Sequence, residues 1–125
     1  MSAANGGRPL QAEEVPVGGL RWPSLVALVA EAELPIVDLD RGDAIFWLVR
    51  DAEGEPVGCF GLELAGPEAL LRSVVVRPGR RRGGLGAAIV GLAEATARAL
   101  GVRRLVLLTE TAGPFFERLD YRPMD

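Results

Sequence analysis

Apolar residues fall at helical spacing in two stretches of the chain. Leu25, Leu28, Val29 and Ala32 share one face of a helix expected from about Pro23 to Glu33, with Pro23 in its first turn and Pro35 stopping it. Leu85, Ile89, Leu92, Thr96 and Leu100 form a second, longer stripe, which Gly101 closes as a C-cap. Between the two helices the pattern becomes extended. Ala44 to Arg50 and Pro56 to Leu64 flank the turn Asp51-Ala-Glu-Gly54 as a hairpin, and Gly66-Pro67-Glu68 leads into a strand from Ala69 to Val76. Three strands in series predict an antiparallel meander. Beyond Gly101, Arg104 to Thr109 reads as a strand buried on both faces, because Leu105-Val-Leu-Leu108 is unbroken by polar residues. A short helix from about Gly113 to Leu119 follows and ends at Asp120, a residue type that tolerates left-handed geometry.

The order strand, helix, strand implies a parallel pair, so the fold expected is mixed α/β: an antiparallel meander leading into a parallel strand–helix–strand unit. A chain of 125 residues predicts one domain. It is expected over residues 12–125, behind a loose N-terminal segment 1–11 that lacks the basic-then-apolar order of a signal peptide. No run of about eighteen apolar residues suggests a membrane span, and a cytoplasmic protein is expected.

Composition narrows the chemistry. Cys59 is the only cysteine and there is no histidine. An intrachain disulfide, a cysteine-clustered metal site and the commonest general base are all excluded, and no metal is expected. The net charge of −3 hides a split: residues 1–71 hold 4 Arg and 12 acids, residues 72–125 hold 10 Arg and 5 acids. An anionic ligand on the second half fits this polarity, as does a bias of composition, since every basic residue is Arg. The run Arg80-Arg-Arg82 is short, and the chain is acidic overall with few aromatics to stack on bases. No nucleic-acid partner is expected.

The segment Val74-Val-Val-Arg-Pro-Gly-Arg-Arg-Arg-Gly-Gly-Leu-Gly86 runs a β-branched strand through a glycine- and arginine-rich turn into the second helix. Helix N-terminal amides have no intrahelical partner, and with the helix dipole and nearby guanidinium groups they suit a pyrophosphate. Two known nucleotide motifs do not fit. Gly79 and Gly84 stand at P-loop spacing, but Leu85 and Gly86 replace the required Lys and Ser/Thr. Gly84-Leu-Gly86 lacks the third glycine of a dinucleotide fingerprint and the parallel half that should precede it.

Arg81-Arg-Gly-Gly84-Leu-Gly86, after its Val-rich strand, resembles the Gln/Arg-x-x-Gly-x-Gly/Ala signature of the GCN5-related N-acetyltransferases. Phe115-Phe-Glu-Arg-Leu-Asp-Tyr121 resembles that family's Phe-Tyr-x-x-x-Gly-Phe helix end. More narrowly, Leu34-Pro-Ile-Val-Asp-Leu39, Leu70-Leu-Arg-Ser-Val-Val-Val76 and Leu107-Leu-Thr109 resemble bacterial arsenic-resistance-associated acetyltransferases. The resemblance implies acetyl-CoA as co-substrate, lying in a V between splayed fourth and fifth strands. Its pyrophosphate would rest on the amides of Arg82, Gly83, Gly84, Leu85, Gly86 and Ala87, with Arg81 beside them, and its pantetheine along the backbone of Val74, Val75 and Val76. The activity implied is direct transfer of acetyl to the primary amine of a small molecule. The alternative is a degenerate domain that binds acyl-CoA or another protein without turnover.

Within that reading, the Val76 or Val75 N–H would meet the oxyanion, and Glu63, ahead of Glu110, would take the ammonium proton through water. A solvent-facing strand residue is the competing reading of Glu63, and a small core residue that of Cys59. Phe116 stands where many members carry a Tyr that protonates the leaving thiolate, and Thr109 roughly where they carry a cofactor-contacting Asn. The sequence stops at Asp125, where the family's sixth and seventh strands normally follow. The expectation is a homodimer in which a second copy covers the fifth strand, since an apolar edge is otherwise left open.

Overall fold

The computed structural model describes residues 10–36, 39–40, 42–79, 83–108 and 112–123. Its elements are β1 (Gln11–Val15), α1 (Trp22–Glu31), β2 (Ala44–Arg50), β3 (Pro56–Ala65), β4 (Glu68–Val76), α2 (Leu85–Ala99), β5 (Arg104–Leu107) and α3 (Gly113–Arg118). The strands form one sheet in the order β1-β2-β3-β4-β5. The first three pairings are antiparallel, and β4 with β5 is parallel. This is the mixed α/β architecture that the pattern predicts.

The hairpin β2–β3 and the strand β4 form where apolar and β-branched residues can be buried on both faces. Trp47, Val49, Phe60, Leu62, Ala69 and Leu71 join Ile89, Ala93 and Ala97 of α2 in one cluster. Phe46, Leu48, Cys59 and Val75 join Leu25, Leu28 and Val29 of α1 in the other. The sheet is therefore covered by α1 on one side and α2 on the other. At its centre the Trp47 and Phe60 rings stack with centroids 5.2 Å apart. Gly58 marks the tightest approach: a Cβ there would lie 2.3 Å from the Val75 carbonyl oxygen and 2.5 Å from Ile89 Cδ1.

Three details depart from the sequence pattern. Gln11–Val15 is a strand that alternation does not announce, since only Val15 of its residues is buried, and Gln11 opens it rather than belonging to the loose segment. The inner face of α2 is Ile89, Val90, Ala93 and Ala97, not the stripe through Leu92, Thr96 and Leu100; Leu100 is exposed. Small residues sit inside because the helix lies close on the sheet, and the larger leucines spread over its flanks. Third, β5 is not buried on both faces: Arg104 is exposed and Leu105 to Leu107 are half-buried, because among the described residues β5 is an outer strand paired only with β4. At the end of α2, the Gly101 and Val102 amides bond back to the Arg98 and Ala97 carbonyls, a Schellman closure around the expected C-cap glycine. Asp120 is left-handed (φ 71°), as expected. No described helix is long and apolar enough to cross a membrane.

Candidate cofactor and acyl-transfer site

The site begins with a mismatch in strand length. β5 pairs with β4 from Glu68↔Arg104 to Leu71↔Leu107 and stops, whereas β4 continues to Val76. The two strands thus share their first turns and part at their carboxyl ends, where ligands of open α/β sheets bind. A bulge falls just above the parting. Cys59 faces Val75 and Gly61 faces Arg72, so Phe60 alone stands opposite Ser73 and Val74. Ser73 takes up the extra residue with a left-handed φ of 57°. The bulge changes which way the strand faces. Ala69 and Leu71 lie in the α2-side cluster, but beyond Ser73 it is Val74 and Val76 that pack there, while Val75 turns to the α1 side. Val75 is buried in the core, and Val74 and Val76 are half-buried against the α2-side cluster.

From Val76 the chain is tied down and then turned. The Arg77 amide donates to the Val57 carbonyl at 2.8 Å, and the Arg77 guanidinium donates to the Pro56 carbonyl at 3.2 Å. The α2 N-terminus opens after Gly83 and Gly84, both left-handed, with Gly84 as N-cap. Neither glycine would have a neighbour within 4 Å of an added Cβ, so backbone conformation selects glycine there. The first bond within the helix is Ala88 N–H to Gly84 O at 3.0 Å. The Leu85, Gly86 and Ala87 amides accordingly have no acceptor inside α2. Among the described residues no side chain caps them, and no acid stands in the first turn. These features fit a pyrophosphate: amide donors, the positive end of the dipole and an exposed approach at Gly83, Gly84 and Ala87.

Gly86 is glycine for a different reason. A Cβ there would approach the Phe115 ring to 3.3 Å, so its absence lets α3 lie against the first turn of α2. Phe115 walls the cradle, a role the sequence pattern did not single out; its signal was the doublet Phe115-Phe116, of which only one ring can face the turn. Phe116 turns instead to the α2-side cluster and meets Tyr121 edge-on at 5.4 Å.

The structure brings Val74 to Val76, Gly83 to Ala87 and Phe115 to one end of the sheet. It does not bring Glu63 there. Glu63 faces Leu70 in the β3–β4 register, whereas Val76 faces Gly58. At about 3.3 Å per residue the two positions are roughly 16 Å apart along the strand. The Glu63 carboxylate is ion-paired with the Arg72 guanidinium, both partly exposed. Cys59 is fully buried, with Sγ donating to the Ser73 carbonyl at 3.4 Å, and burial pushes its thiol up to about 12. It is a core residue. Arg81, Arg82, Thr109 and the alternative base Glu110 lie outside the described residues. Among the described residues no cluster of metal-ligating side chains occurs. A cleft of about 1050 Å³ lies elsewhere: it follows the outer side of β5 between α2 and the segment after α3, and its lining includes Phe116 but none of the glycines at 83, 84 and 86.

A model of the acetyltransferase (GNAT) family matches residues 17–121. Among curated proteins, none matches the chain. An acetyltransferase of the GNAT family from Staphylococcus aureus Mu50 superposes with a TM-score of 0.73 at 17% identity, covering 94% of this chain and 87% of that one. Glucosamine-6-phosphate N-acetyltransferase from Arabidopsis thaliana gives 0.68 at 12% identity, with 94% of each chain covered. N-acetylglutamate synthase from Neisseria gonorrhoeae, in complex with coenzyme A and N-acetylglutamate, gives 0.70 at 19% identity; the likeness covers 87% of this chain and 28% of that protein.

Proposed function

Since the chain belongs to the acetyltransferase (GNAT) family, whose members use acetyl-CoA, we propose that it transfers acetyl from acetyl-CoA to the primary amine of a small molecule. The observation that carries this reading is the fork beyond Leu71 and Leu107, with the uncapped amides of α2 at its end. Bound there, acetyl-CoA supplies an acyl group activated as a thioester. Leu85, Gly86 and Ala87 hold its pyrophosphate through backbone N–H groups, and the left-handed Gly83 and Gly84 let the phosphates come close. Arg81 and Arg82, adjacent in sequence, add positive charge. The β4 backbone at Val74 to Val76 receives pantetheine as an added strand, which needs no particular side chain. A main-chain N–H at Val75 or Val76 faces the oxyanion as the amine attacks.

Direct attack needs no enzyme nucleophile, in keeping with a buried Cys59. The acceptor must arrive as, or become, the neutral amine, against an ordinary ammonium pKa of about 10. In this proposal Glu63 draws the cation toward the sheet and relays its proton through water, at a distance from Val76 that demands a chain of waters. A second copy covering β5, where Leu105 to Leu107 are half-buried and Leu108 is 88% exposed, completes the acceptor side. A cytoplasmic location and the narrower likeness to arsenic-resistance-associated acetyltransferases belong to the same proposal and rest on sequence.

The test is acceptor-dependent release of CoA thiol from acetyl-CoA across a panel of amines and amino-acid analogues. Turnover with one of them supports the proposal. CoA binding by calorimetry without turnover on any acceptor favours the non-catalytic alternative, and a monodisperse monomer in light scattering removes the second copy.

A further inference from the structure

The contact of Phe115 with Gly86 raises the question of what holds α3 in place. Its six residues are too few for a helix to persist unaided, and none of them is buried. Besides the packing of Phe116 on the α2-side cluster, α3 and the segment that follows it meet α2 through side chains at two levels. One is Phe115 over Gly86. The other lies about 12 Å farther along α2, at 1.5 Å per residue: the Tyr121 hydroxyl donates to Glu94 Oε2 at 2.9 Å. Between them runs an unbroken aromatic chain, Phe115 on Phe116 with centroids 5.0 Å apart and Phe116 on Tyr121 at 5.4 Å, both edge-on. The main-chain closure of α3 feeds into it, because the Tyr121 amide bonds back to the Phe116 carbonyl at 3.0 Å.

We propose that Tyr121 is a positioning residue for acyl-CoA: its hydrogen bond to Glu94 fastens the end of α3 to α2 and thereby seats Phe115 against the first turn that receives the pyrophosphate. This rests on the reading of that turn as the CoA cradle. The bond is half-buried and charge-assisted, the kind that holds geometry well. Burial first, then the hydrogen bond to Glu94 and its negative charge, raise the phenol pKa above its ordinary value, so the hydroxyl stays a donor throughout the working range. The same geometry separates Tyr121 from the family's thiolate-protonating Tyr, since its proton is already committed to Glu94.

The test compares Tyr121→Phe, Glu94→Ala and Glu94→Gln in the full chain, with CoA affinity measured by calorimetry and kcat and KM for acetyl-CoA by thiol release. Tyr121→Phe keeps the ring and its stacking, and Glu94→Ala keeps a strong helix former, so the fold survives at least one of them. Both are expected to weaken CoA binding about three- to tenfold, the range of one lost hydrogen bond, and to raise KM with kcat within about twofold. The double variant should be no worse than either single one, and Glu94→Gln, whose amide oxygen still accepts the phenol proton, should recover most of the affinity. A fall in melting temperature with CoA affinity unchanged would make the bond merely structural and overturn the proposal. If the unaltered protein fails to bind CoA, the cradle reading itself falls and takes this proposal with it; if it binds and the variants bind equally, only the proposal falls.

Discussion

The centre of the sheet and its β5 margin are built on opposite principles. In β2, β3 and β4, apolar side chains are buried on both faces, and at Gly58 there is no room for one more carbon. At the margin, β5 is half-buried, α3 buries nothing completely, and the α2 amides are left without a cap. The centre specifies shape by close packing. The margin leaves the first amides of α2 without an acceptor inside the helix, as the proposed site, which would read phosphates through main-chain atoms, requires. Stability and binding are thereby assigned to different residues, and substitutions should separate them.

The strongest separation is expected from Phe60→Ala. Removing a fully buried ring stacked on Trp47 should cost roughly 3–5 kcal/mol, read as a lower midpoint in denaturant unfolding, and CoA affinity of the fraction still folded should change little. The converse is Gly84→Asp with Gly86→Asp, which places carboxylates where phosphates would sit. CoA affinity should fall by about a hundredfold or more, roughly 2.7 kcal/mol, while the unfolding free energy falls by about 1–2 kcal/mol for a left-handed Asp at position 84 and a side chain pressed on Phe115 at position 86; equal CoA binding by this variant would show that the α2 amides do not face the phosphates. Gly58→Ala tests where the regions join. Its new methyl meets the Val75 carbonyl, so a loss of about 1–3 kcal/mol in stability should come with weaker CoA binding as the end of β4 shifts. If only stability falls, the two regions are more independent than their shared strand suggests. Least is expected of Arg104→Ala. The Arg104–Glu68 pair across β5 and β4 is exposed at 3.1 Å, and its loss should cost under about 1 kcal/mol and vanish at high salt.

The same contrast explains what was legible in the sequence. Alternation and β-branching located β2, β3 and β4 closely because those residues are buried for reasons internal to their own pattern. β1 escaped: it joins through backbone hydrogen bonds along the sheet edge, and Gln11-Ala-Glu-Glu14 needs no apolar side chain for that. The α2 stripe was misaligned because large apolar residues dominate a pattern, whereas a helix lying close on a sheet puts Ala93 and Ala97 innermost. β5 looked doubly buried because an apolar run does not say whether a neighbour exists on both sides. At the site, the glycine turn was legible, since left-handed backbone and close approach leave a compositional trace at Gly83, Gly84 and Gly86. The bulge at Ser73 left none, because a serine rather than a glycine adopts the left-handed conformation. Nor could a pattern reveal that Tyr121 reaches Glu94, a contact between segments 27 positions apart.

That bulge also constrains how this sequence can vary by insertion and deletion. One surplus residue opposite Phe60 transposes everything after it, so that Val75 is inward on one layer and Val74 and Val76 on the other. Deleting Ser73 alone would close the bulge, leaving Phe60 opposite Val74 and each valine on its present layer, whereas deleting Ser73 together with Val74 would send Val75 and Val76 to the wrong layers. Homologous chains should therefore tolerate exchange among aliphatic residues along this strand, and loss of the single bulge residue, far more readily than the loss of two residues at the bulge.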